Sequence, residues 1–209
     1  MMSDLMSDLM SDLASADPAT LVQAVTAYRG QGGDRPAAKA VVKALLQAEK
    51  AAKQQRLTYP FQALEGQWRL CFTTGTRKVK RGGIALGNGF YLPKLTPAFI
   101  SFAASDGSAA GQGTIGNQIQ LAGLQLRLTG VCRYEGKKNL LAFDFTQLQI
   151  RAFGRPIYSG SIRGGKAQAE QFDQQPLAKL PFFSFFLITD DLIAARGRGG
   201  GLALWLRAA

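Results

Sequence analysis

No histidine occurs anywhere in the 209 residues. That removes the side chain that titrates near neutral pH, the commonest metal ligand, and every Ser-His or Cys-His nucleophile arrangement. Cysteine is almost absent too. Cys71 and Cys132 cannot make a zinc site alone, and two thiols in a chain of this size suit a reducing compartment. No apolar run reaches the roughly 18 residues of a spanning helix; the longest, Leu180 to Ile188, has nine. The amino terminus has no basic start and no arginine before Arg29, so it resembles neither a secretory signal nor an Arg-rich transit peptide. The chain is expected to stay in the compartment where it is made. Acids are scarce, 14 against 25 bases, and four of them (Asp4, Asp8, Asp12 and Asp17) fall in the first 17 residues. The strongly basic remainder favours an anionic partner, nucleic acid or a lipid headgroup layer. Neither a catalytic residue nor a metal site is expected.

What remains is enough for one sizeable core plus an appendage. Met2 to Leu13 is three copies of MSDL, read as an unstructured tail, since so short a helix is marginal in water. The alternative is an amphipathic helix that docks on a partner or folds over a barrel mouth. Asp17-Pro18 reads as a helix start and Gly30 as its stop, giving a helix over 18–29. A second helix is expected over 36–55, with Val41, Val42, Leu45, Leu46 and Ala48 as its apolar stripe. From Gly66 the texture changes to short alternating runs broken by Gly, Pro and Asn. Strands are expected near 84–92, 98–103, 112–121, 124–134, 141–152, 157–163, 185–189 and 202–207. A jump of apolar parity after Phe145 predicts a bulge near Thr146 and Gln147. The fold class is mainly β: an antiparallel barrel of about eight or nine strands, residues 58–209, with an N-terminal two-helix segment, residues 18–57.

The most informative segment is LEGQWRLCFTT, Leu64 to Thr74. Gly66 lets the chain turn sharply into a strand, and Trp68 can plug a barrel end. Alternation puts Trp68, Leu70 and Phe72 on one face and Arg69, Cys71 and Thr73 on the other. Cys132 sits on the apolar face of its own strand, so the two sulfurs are expected on opposite sides of the wall, without a disulfide. Near the end comes DDLIAARGRGGGLALWLR, Asp190 to Arg207. Arginines flanked by glycines suit a guanidinium laid over a ring, and Arg196 or Arg198 is expected across Trp68. A buried structural tryptophan with no ligand contact remains the plainer alternative.

Taken together, these segments resemble the plastid-lipid-associated protein or fibrillin family in a cyanobacterial-type form. Leu64, Gly66, Trp68, Leu70, Thr73 and Thr74 match that family's opening strand, and Asp190, Asp191, Leu192, Arg196, Gly197 and Gly200 match its closing motif. Ile193 stands where the family usually has an arginine, and the Asn-Pro-x-Pro segment expected before the first strand is absent. The resemblance implies a lipocalin-like barrel, peripheral to thylakoid or plastoglobule membranes, that binds small apolar molecules of lipid, quinone or carotenoid type. Its location would be cytoplasmic or thylakoid-peripheral.

The leading functional expectation is therefore non-enzymatic binding or carriage of an apolar small molecule, with a lipid, quinone or carotenoid as the bound species and no other cofactor. Trp68, Phe72, Leu124, Leu126, Leu128, Phe143 and Phe145 are the candidate lining, with Arg196 for a headgroup or simply for the Trp68 face; plain core is the simpler reading of each. Arg77, Lys78, Lys80 and Arg81 form a basic tip that either docks on an anionic membrane surface or is simply a solvated turn. Three alternatives stand beside this: a scaffold or protein partner of an isoprenoid or quinone pathway enzyme, a bilin-handling lyase-like barrel, and a nucleic-acid-binding module. The last is disfavoured, and no nucleic acid is expected as a partner, because the strand aromatics sit beside leucines on dry faces.

Overall fold

The computed structural model describes residues 18–78, 84–105, 111–162 and 164–208. The MSDL repeat, with its expectation of an unstructured tail, lies outside them, as do Lys80 and Arg81 of the basic tip. Two helices come first, α1 (Pro18–Arg29) and α2 (Ala38–Gln55). The strands follow: β1 (Gly66–Thr73), β2 (Thr76–Lys78), β3 (Ile84–Leu86), β4 (Phe90–Tyr91), β5 (Ala98–Ala104), β6 (Gln112–Leu121), β7 (Leu124–Glu135), β8 (Leu140–Ala152), β9 (Arg155–Ser161), β10 (Phe182–Ile188), β11 (Leu192–Gly197) and β12 (Leu202–Arg207). A short helix, α3 (Gly165–Glu170), lies between β9 and β10.

Eight of the strands close an antiparallel barrel in the order β10-β11-β12-β1-β5-β6-β7-β8, with β8 pairing back to β10. β9 adds to the far half of β8, β4 adds to β1, and β2–β3 form a separate ribbon. The barrel class and the N-terminal helices are those the pattern predicted. α1 has the expected bounds, whereas α2 starts two residues after the expected Pro36. The expected strand over 84–92 breaks into β3 and β4 at Gly87–Gly89, and β9 and β10 begin two and three residues before their expected starts.

β11 was not among the expected strands, and its burial explains why. Leu192, Ile193, Ala194 and Ala195 are all buried. Residues that alternate inward and outward along β11 are covered on both sides, so no two-residue period survives in the sequence. Outside lies the helical layer, where Leu21, Val25, Val41, Leu45 and Ala48 pack on Leu192, Ala194, Leu202, Leu204 and Leu206. Inside lies the barrel core, built on Trp68, Ile100, Phe102, Ile115, Ile193 and Trp205. Leu46, expected in the α2 stripe, is instead exposed, while Glu49 is buried.

Two register shifts set which residues face in. β8 carries its bulge at Thr146, between the pairs Gly130–Phe145 and Thr129–Gln147, where the parity jump placed it. β1 carries one at Cys71, between the pairs Leu70–Trp205 and Phe72–Leu204.

Candidate functional site

The closed end of the barrel is built on Trp68. Its ring is fully buried, and its indole N–H donates to the Leu64 carbonyl at 2.7 Å. Gly66, at φ +104°, turns the chain into β1, and a Cβ there would lie only 3.0 Å from Arg207 Nη1. The expected arginine does cover the Trp68 ring, but it is Arg207, with its guanidinium carbon 4.1 Å from the ring centroid. Arg207 also donates through Nε to the Asp190 carbonyl and through Nη1 to the Glu65 carbonyl at 3.0 Å. One cation thus ties the β10–β11 turn, the approach to β1 and the plug ring together.

Arg196 and Arg198 do not reach Trp68. Arg196 lies on β11 rather than in a loop, and it shares the outward parity of Leu192 and Ala194. It therefore meets α2, donating Nε to Glu49 Oε1 at 2.8 Å and Nη2 to Glu49 Oε2, with Nη1 on the Gly200 carbonyl. Lys53 adds a bond to Glu49 at 3.0 Å. The hydrogen bond from Arg196 holds the Glu49 carboxyl below its ordinary value, against the opposing cost of burial. Arg198 turns to the carbonyls of Lys179 and Leu180.

Phe72 is likewise not a barrel-lining residue. The shift at Cys71 turns Phe72 outward into the helical cluster, where its ring meets Tyr91 edge-on at 5.1 Å. Cys71 lies in that outer cluster and Cys132 in the barrel core. Both are free and buried, and burial pushes each thiol up to about 12. Such thiols are poor nucleophiles and metal ligands.

Phe143 and Phe145 do face inward, as expected. Phe143 stacks on Phe183 at 5.0 Å, Phe145 lies 5.3 Å from Phe143, and Phe183 meets Trp205 edge-on at 5.7 Å. Phe145 and Phe183 are only partly buried and sit at the edge of this cluster.

Beyond these rings the sheet continues past the point of closure. β8 pairs with β10 only through Leu140–Ala142, then runs on beside β9. The far halves of β6, β7 and β8, with β9, make a four-stranded arm. Leu124, Leu126 and Leu128 lie here, on the inward face as expected but not enclosed. Register places Ile119, Leu126, Ile150 and Tyr158 in one row across the arm. Asn117, Leu128, Leu148 and Gly160 form the row nearer the barrel, and Leu121, Leu124, Ala152 and Arg155 the row nearer the tip. Ile119, Leu121, Leu124 and Tyr158 are 44%, 56%, 46% and 48% exposed. The opposite face carries Gln118, Gln120, Gln125, Arg127, Gln147, Gln149 and Arg151. A largely apolar face therefore runs along β7 and β8 from the phenylalanine cluster to the arm tip, with Asn117 on one edge and Arg155 on the other.

The basic ribbon is described only in part. Arg77 and Lys78 lie on β2, which leaves the barrel after the end of β1. Among the described residues, no group of three His, Cys, Asp or Glu side chains could hold a metal ion, and no helix is long and apolar enough to cross a membrane.

Sequence reasoning missed Arg207 and Glu49. Arg207 had a signal: it stands two residues after the apolar Trp205, so it shares that residue's inward face. Glu49 had one too, as an acid inside the apolar stripe of α2.

No family model, curated protein or solved structure matches this chain.

Proposed function

We propose that the protein binds and carries a small apolar molecule, laid along the inward face of the arm with one end against Phe145 and Phe183. The observation that carries this reading is the exposed, largely apolar face of the arm. A monomer that leaves Ile119, Leu121, Leu124 and Tyr158 in water gives up free energy that an apolar occupant recovers, about 0.8 kcal/mol for each methylene it buries. Such a function needs burial and shape rather than proton transfer, which suits a chain without histidine. The fibrillin-type resemblance of the opening and closing motifs points to the same class, a prenyl or acyl chain.

One observation favours an anionic lipid surface as the place where the ligand is exchanged. The arm ends in two neighbouring hairpin turns, Ala122-Gly123 and Phe153-Gly154, all four residues at positive φ. A Cβ on Gly123 would lie 2.7 Å from the Phe153 ring, so glycine is needed where the two turns touch. Phe153 is 86% exposed and Ile157 62%. Residues 112–129 and 147–162 contain Arg127, Arg151 and Arg155 and no acid. Exposed rings beside arginines suit shallow insertion among anionic headgroups, each arginine contributing about 1 kcal/mol.

Solvent extraction and native mass spectrometry of the purified protein test the reading. A single class of isoprenoid or acyl lipid, bound in a fixed ratio, is expected. Protein that is uniformly free of lipid, and that stays free after incubation with prenylquinone or fatty-acid micelles, contradicts it.

A further inference from the structure

At the closed end, on the outside of the wall, α1 ends over β1, β5 and β12 and leaves an open cavity of about 670 Å³. Its volume falls in the range of small-molecule sites. Four cations line it, Arg29, Arg69, Lys94 and Arg207, against one carboxylate, Asp191. The three arginines are held by the frame. Arg29 pairs with Asp191 at 3.3 Å, and Arg207 is fixed by its two carbonyls and the Trp68 ring. Arg69 donates Nη2 to the Lys94 carbonyl at 2.9 Å and lies 5.4 Å from the centroid of Tyr28.

Donor capacity is left over. Arg69 Nε and the Tyr28 hydroxyl are shielded from solvent and meet no partner at normal hydrogen-bond geometry among the described residues, although the two side chains lie close enough to act on each other. Burial raises the Tyr28 hydroxyl above its ordinary value, with Arg69 and Arg35 pulling the other way. It therefore remains a neutral donor. Lys94 is exposed and makes no ion pair among the described residues. Buried donors without acceptors are costly, and guanidinium groups held in place recognise oxyanions well.

We infer that this cavity is a second binding site, for a phosphate group carried by a small molecule or by a lipid head. It opens on the outer side of the wall, where Arg69 pairs with Phe99 and Phe99 with Gln118, whereas the apolar face of the arm points inward, and it does not depend on the arm binding anything.

Isothermal titration at low ionic strength, where exposed charges are least screened, tests the site with two probes: inorganic pyrophosphate as a free phosphate and dihexanoyl phosphatidate as a soluble lipid head. Saturable one-to-one binding of either is expected, and the probe that binds identifies the source. Lys94→Glu is expected to weaken it by about tenfold. Lys50→Glu, the same charge change on the exposed side of α2, is expected to weaken it by less than about twofold. Equal loss in the two variants, binding that neither weakens, or no saturable binding of either probe overturns the site. Any of these results leaves the apolar-ligand reading where it stood.

Discussion

β7 and β8 each pass through two environments. In their barrel halves, Cys132, Tyr134, Leu141 and Phe143 are buried; in their arm halves, Leu124, Leu126, Leu148 and Ile150 share the same inward face, on β8 by way of the Thr146 bulge, and remain partly or largely exposed. The two halves use the same residue types and the same alternation. Closure makes the difference, since one half has the plug and the opposite wall inside it and Phe172, Leu177 and Leu180 outside it, and the other has a single open face. Alternation thus reports which way a side chain points, while burial is decided by what the chain brings opposite it. A protein built only for stability would cover the arm. An open apolar face is what the proposed binding role calls for.

The widest contrast in stability should come from truncating one residue in each half. Trp68→Ala removes the plug ring, its bond to Leu64 and the Arg207 contact, and should cost about 4 kcal/mol. Leu126→Ala on the half-exposed arm should cost less than about 1 kcal/mol. Urea denaturation of the two variants checks the pair, and equal losses would erase the distinction between plug and arm.

Next in size is the tie between the helical layer and the wall. Glu49→Ala leaves Arg196 without its carboxylate partner and should cost about 2 to 3 kcal/mol, below the full value for a buried pair because Arg196 is partly exposed. Its folded carboxyl titrates below its unfolded one. The stabilisation is therefore complete above the unfolded carboxylate range and is lost as pH falls through the folded value. Thermal melts below about pH 4.5 should show the native protein losing stability more steeply than Glu49→Gln, which lacks this titration. Parallel slopes would remove Glu49 from the account.

Arg207→Gln should cost about 1 to 2 kcal/mol and shift the emission of Trp68, while Arg196→Gln leaves that emission unchanged. The reverse pattern would restore the pairing that the closing motif suggested. Smallest of all is the effect of thiol reagents. Both cysteines are buried, with thiols raised to about 12, so neither should react in the native protein until it opens. Fast labelling of Cys71 alone would show the helical layer lifting from the wall.

Much of the frame was legible in the residues. Pro18 and Gly30 bracket α1, the parity jump after Phe145 locates the Thr146 bulge, and Gly66-x-Trp68 marks the plug. The misreadings share a physical cause. A strand covered on both faces, such as Leu192 to Ala195, loses its period and reads as a motif between glycines. Once β11 is unseen, Arg196 looks free to cross the ring, when its parity points it at α2. The shift at Cys71 inverts Phe72 without leaving a trace in composition, since both sides of that wall are dry. Nothing local marks Leu124 to Leu128 as open, because openness depends on β10 ending its pairing with β8 at Ala142.

The most direct test of the open arm as the ligand surface is the affinity of the native protein and of Leu126→Gln/Ile150→Gln for a fluorescent acyl probe, with thermal stability measured alongside. A loss of about tenfold or more in affinity with an unchanged melting temperature is predicted. Unchanged affinity in the double variant would contradict the account and place the apolar ligand elsewhere.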